Sequence, residues 1–131
     1  METESIEIKT SKEKFFMEYL ILKKPVIDAI LSKINGQKTS LSEKPLKVFA
    51  QFLYYNDQLK NLPDDDRWSL LFSKEYKDKI SESLSMKEHH INIYISQLRK
   101  LRIFNGKKIN KPFIVYANDR TLNIKFSLNG S

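Results

Sequence analysis

The chain has 131 residues, 40% of them hydrophobic, with 8 Phe and 6 Tyr, enough for one globular domain with a core of its own. Cysteine is absent, which excludes disulfides and thiolate zinc sites, and no apolar run approaches the ~20 residues needed to span a bilayer. The formal charge of +7 is unevenly placed: residues 1–72 hold 11 Lys/Arg against 11 Asp/Glu, whereas residues 73–131 hold 12 against 5. A basic field on one region gathers phosphates, although solubility alone would also account for it. Met1–Ile8 is acidic and polar, so no signal peptide is expected, and the cytoplasm is the expected setting.

In chain order, residues 1–11 read as a frayed arm or a short edge strand, because Ile6-Glu7-Ile8 alternates. Glu13–Leu22 predicts a helix with Phe16, Tyr19 and Leu20 on one side, a stripe that Phe15 and Leu22 widen. Pro25 suits the first turn of a second helix, Val26, Ile27, Ile30, Leu31 and Ile34 supply its apolar face, and Asn35-Gly36 stops it. Ser42 and Pro45 open a third helix, in which Leu46, Phe49, Ala50, Leu53 and Tyr54 recur at spacings of three and four until about Asn56. Asn61–Arg67, NLPDDDR, reads as an exposed acidic insertion, after which Trp68, Leu70, Leu71 and Phe72 anchor the chain back on the core. Ser73 then caps a short helix over residues 74–84, with Tyr76, Ile80 and Leu84 as its stripe.

The strongest helical pattern follows. Tyr94, Ile95, Leu98 and Leu101 fall with Ile91 within an apolar arc of about 120°. The opposite arc carries His89, Asn92, Ser96, Gln97, Arg99 and Lys100, together with Ile93, an apolar residue that periodicity leaves exposed. Ser85 with Glu88 three residues later reads as a capping box, which sets the helix at about Met86–Leu101. Beyond it, Asn105-Gly106 signals a hairpin, Phe113–Tyr116 reads as a strand, Asn118-Asp119 as a turn, and Thr121–Leu128 alternates as a further strand. The expected class is α+β: an N-terminal arm and helices over residues 1–41, then a domain over residues 42–131 with the acidic insertion at 61–67.

The order helix, helix, turn, helix, hairpin over Ser42–Phe126 resembles a winged helix-turn-helix domain, here with two extra N-terminal helices. The resemblance implies a supporting helix at 74–84, a recognition helix at 87–101, and a wing at either the hairpin around Asn105-Gly106 or the one at 118–120, so that Lys107 and Lys108, or Arg120, match its basic tip. It also implies double-stranded DNA as partner and a role in transcription regulation. Asn92 and Gln97 would pair with adenine, Arg99 with guanine or a phosphate, and Ile93 with a thymine methyl. Lys100, Lys107, Lys108, Lys111 and Arg120 would contact phosphates, which positions the protein without reading sequence. The compact, lysine-rich chain also looks like small phage proteins, which would set it in the host cytoplasm or the virion, but no motif matches a named phage family.

The alternative is a non-enzymatic structural or interaction module of a larger assembly, engaging a protein partner or a second copy through the N-terminal helices, with Phe15, Tyr19, Tyr54, Tyr55 and Trp68 as candidate contacts. An exposed apolar patch on the first two helices would favour it. RNA is the less favoured nucleic acid, since no RNP-like strand or GxxG loop occurs. No metal or cofactor is expected: adjacent His89 and His90 diverge by about 100° on a helix, and Asp64, Asp65 and Asp66 lack the ligand alternation and the glycine of a calcium loop. Without a G-x-S-x-G elbow or a glycine-rich phosphate loop, the expectation is that the chain is not an enzyme.

Overall fold

The computed structural model describes residues 2–117, those before Lys12 as backbone only. Six helices are followed by a small hairpin: α1 (Glu2–Leu22), α2 (Lys24–Asn35), α3 (Glu43–Gln58), α4 (Asp64–Leu71), α5 (Lys74–Leu84), α6 (Glu88–Lys100), β1 (Phe104–Asn105) and β2 (Lys108–Ile109). A single 3-10 turn at Lys111–Phe113 follows. The architecture is α+β, with two extra N-terminal helices, α1 and α2, ahead of a unit made of α3 to α6 and the hairpin.

The centre is α3. Twelve of its 16 residues are buried, the polar Gln51, Asn56 and Asp57 among them, and α1, α4, α5 and α6 all lie against it. Phe16, Tyr19 and Leu20 of α1 share one hydrophobic cluster with Phe49, Phe52 and Leu53 of α3 and with Ile91, Ile95 and Leu98 of α6. On α6 the buried set is Ile91, Ile95 and Leu98, with Tyr94 and Leu101 only partly covered. The aromatics Tyr19, Tyr54, Tyr55 and Trp68, candidate contacts for a partner, are core residues instead.

Polar groups fix the connections. Asp28 accepts hydrogen bonds from Lys24 Nζ (2.6 Å), Ser40 Oγ (3.1 Å) and the Leu41 N–H (2.9 Å), which ties the 36–42 loop to α2. Gly36, at φ 71°, ends α2 as its sequence suggests. Asn35 Nδ2 donates to the carbonyls of Leu31 (2.9 Å) and Leu101 (3.1 Å), joining the end of α2 to the end of α6.

Several expectations are corrected. The arm or edge strand at residues 2–11 is the first half of α1. Asp64, Asp65 and Asp66 are exposed, but they form the first turn of α4 rather than a loop; three carboxylates there complement the positive end of the helix dipole. Arg67 behind them is buried, pairs with Asp64 (3.1 Å) and lies over the Trp68 ring, 4.8 Å from its centroid. Phe113–Tyr116 forms no ladder among the described residues: Phe113 closes the 3-10 turn and the chain then runs extended, with Phe113 and Val115 buried and Tyr116 exposed. The strand at Thr121–Leu128 and the turn at Asn118-Asp119 lie outside the described residues.

At the end of α3, Asp57 is buried, accepts the Ala117 N–H (3.2 Å) and lies 3.7 Å from Lys60 Nζ. Burial pushes its carboxyl above the ordinary range, and the Lys60 charge and the Ala117 bond only partly offset this. A carboxyl whose folded pKa is raised holds its proton more tightly in the fold. Its contribution to stability is therefore present below the unfolded value and lost as pH rises through the folded one. Asp57→Asn keeps an acceptor for Ala117 without the charge. Relative to wild type, it should gain stability as pH rises from about 4 towards 7, read from urea midpoints at each pH.

Candidate nucleic-acid interface

The turn between α5 and α6 is built without glycine. Ser85 adopts φ 53°, the Met86 N–H bonds to the Ser81 carbonyl (3.0 Å), and the Ser85 N–H bonds to that of Glu82 (3.2 Å). This Schellman arrangement closes α5, so Ser85 is not the N-cap of α6 and no capping box forms. Ser81 Oγ adds a hydrogen bond to the Met86 carbonyl. The N-cap of α6 is Lys87, with no side-chain cap. Glu88, the one carboxylate on α6, is held by Lys74 of α5 (2.7 Å), which also pairs with Asp78 (3.2 Å).

The far end of α6 is closed in the same way. Arg102 takes φ 70°, and the Ile103 and Arg102 N–H groups bond to the Leu98 and Arg99 carbonyls, each at 3.0 Å. Leu98 and Ile103 are both buried there. The hairpin starts at the next residue and pairs Phe104 with Ile109 and Asn105 with Lys108. Asn105 is therefore a strand residue, and the turn is Gly106-Lys107, with positive φ at Gly106 alone, as in a type II′ turn. Asn110 Nδ2 donates to the Arg102 carbonyl (2.6 Å), and Arg99 Nε donates to that of Gly106 (2.8 Å), so the hairpin is bound to the end of α6 on two sides.

Between these caps, His89, Asn92, Ile93, Ser96, Gln97, Arg99 and Lys100 are all exposed, Ile93 at 46%. Lys107 and Lys108 on the hairpin, and Lys111 after it, are exposed too. Arg120 and the alternative wing at 118–120 lie outside the described residues. The His89 and His90 rings lie with centroids 4.0 Å apart and planes tilted by 38°, and among the described residues no group of three or more His, Cys, Asp or Glu could hold a metal ion. No helix among the described residues is long and apolar enough to cross a membrane.

One cation at this surface was not anticipated. Lys77 of α5 is half-buried; burial first, then the charges of Arg99 and Lys107, push its ammonium below the ordinary lysine value, against a smaller opposing effect of Glu88. Cations from α5, α6 and the hairpin thus concentrate at the seam that Arg99 closes. A signal did exist: Lys77 stands three residues before Ile80 and seven before Leu84, on the α5 face that turns towards α6.

No protein-family model, curated protein or solved structure matches the chain. The likeness to a winged helix accordingly rests on shape alone: a helix pair joined by a tight turn, then a hairpin.

Proposed function

We propose that the chain binds double-stranded DNA, with the outward face of α6 in the major groove and the 104–109 hairpin on the flanking backbone, and that it acts as a regulator of transcription. The observation that carries this reading is the surface of α6 itself. Its exposed side is polar, its one carboxylate is taken up by Lys74, and its hairpin flank concentrates Lys77, Arg99 and Lys107. Asn92 and Gln97 are the residues suited to base edges, while Lys100, Lys107 and Lys108 are suited to phosphates. Fluorescence anisotropy with a random duplex across a salt series tests it. Binding at about 10 µM protein and 50 mM salt, weakening steeply with added salt, is the expected result. Absence of binding under those conditions would refute the reading for this chain.

A second reading, an interaction module in a larger assembly, draws on Ile21 and Leu22, which stand 59% and 74% exposed side by side at the end of α1. It becomes the leading one if no duplex is bound.

A further inference from the structure

On the flank of α6 away from the hairpin lies an open recess of about 460 Å³, between the start of α3 and the α5–α6 turn. Lys44 and Lys47, three apart in the first turns of α3, form one wall. Lys87 at the start of α6, and His90 with Tyr94 one turn further on, form the other. The floor is apolar and half-buried, made by Leu84, Met86 and Tyr94, while Lys44, Lys87 and His90 stand exposed at the rim. No carboxylate lines the recess, and among the described residues none pairs with Lys44, Lys47 or Lys87. Lys14, Lys24, Lys60 and Lys74, by contrast, each have an acidic neighbour.

The chemistry of such a site is narrow. Three lysines lining one hollow set up a positive field that favours an anion. The positive end of the α6 dipole, without a side-chain cap at Lys87, adds to the field. Lysines act as point charges with donors free to rotate, which suits the tetrahedral oxygens of a phosphate; the arginine fork that would favour a planar carboxylate is missing from the lining. The hollow is within the size range of small-molecule sites and larger than a bare phosphate needs, and its floor suits a sugar or ring. We propose that this recess binds a phosphate ester, its oxygens held by Lys44, Lys47 and Lys87 and its carbon body lying over Met86 and Tyr94.

The ester has two possible sources: the backbone of a duplex seated on the neighbouring α6 face, or a small organic phosphate. The site stands on its own geometry, so it goes beyond the DNA reading and does not need it.

Two measurements on the full chain separate the cases. In the first, adenosine monophosphate is titrated into the ¹⁵N-labelled protein. Saturable shifts at the amides of Lys44, Lys47 and Lys87–His90 are expected, weakened about threefold to tenfold for each lysine lost in Lys44→Gln/Lys47→Gln. In the second, duplex binding of the same variant is followed across salt, and the slope should become shallower by about one for each backbone contact removed. The charge-keeping Lys44→Arg/Lys47→Arg variant should restore the slope, which separates loss of charge from misfolding. Adenosine monophosphate shifts with an unchanged slope support the small ester as source. A shallower slope, with or without those shifts, supports the duplex backbone. An unchanged slope together with no adenosine monophosphate shifts overturns the proposal. If the wild type binds no duplex, the DNA reading fails separately, and the nucleotide titration alone decides: shifts at the recess support the site and their absence overturns it.

Discussion

Phe104→Ala is expected to destabilise the fold by about 3–5 kcal/mol, the range for emptying a buried aromatic site. Phe104 is 1% exposed, and its ring meets those of Phe52 (5.0 Å), Phe72 (5.3 Å) and Phe49 (6.3 Å) at steep angles. Edge-to-face pairs of this kind add about 0.5–1.5 kcal/mol each beyond the area they bury. The same residue supplies β1, so its side chain is what holds the hairpin to α3. Urea denaturation should show a lower midpoint at an unchanged slope. A loss below about 1 kcal/mol would mean that the hairpin is not anchored through this ring.

The second large effect concerns readout. On the proposed function, replacing Asn92, Gln97 and Arg99 together by Ala should abolish discrimination between duplexes and leave weak, salt-sensitive binding. Each bidentate contact to a base contributes about 1–3 kcal/mol of discrimination. Arg99 needs separate treatment, because its Nε already donates to the Gly106 carbonyl. Removing it both deletes a cation and frees the hairpin, so Arg99→Lys, which keeps the charge without the fork, is the informative partner variant. Anisotropy with a preferred and a scrambled duplex separates the cases. Retention of the preference by the triple variant would move the reading surface away from α6.

What the sequence disclosed follows physical range. Periodicity over three or four turns is a local property, and it located the apolar stripes of α2, α3, α5 and α6 and the outward side of α6 correctly. Asn105-Gly106 announced the hairpin, although the tight turn moved one residue on because Gly106 occupies its first central position. Two errors came from residues that serve either of two roles. Ser85 and Glu88 have capping-box spacing, but the serine is used to end α5 and the glutamate to meet Lys74. Phe113 and Val115 alternate in burial as strand residues do, yet alternation reports an extended chain and not a paired one. The contributions of Lys77, Lys44 and Lys47 to basic sites were less accessible still. They arise where separate helices meet, and two of these lysines lie in the half of the chain whose charges cancel.

The caps at the ends of α5 and α6 have a consequence for any complex. Ser85 and Arg102 both hold left-handed backbone without being glycine, a conformation that costs such residues about 1–2 kcal/mol. Each is locked by two backbone hydrogen bonds, and neither has glycine's freedom to swivel. The axis of α6 is thereby set against α5 at one end and against the hairpin at the other. A helix held at both ends in this way presents one fixed surface to whatever docks on it. On the proposed function, the duplex is then the partner that bends, and sites with easily kinked pyrimidine–purine steps would be favoured even at base pairs that no side chain touches.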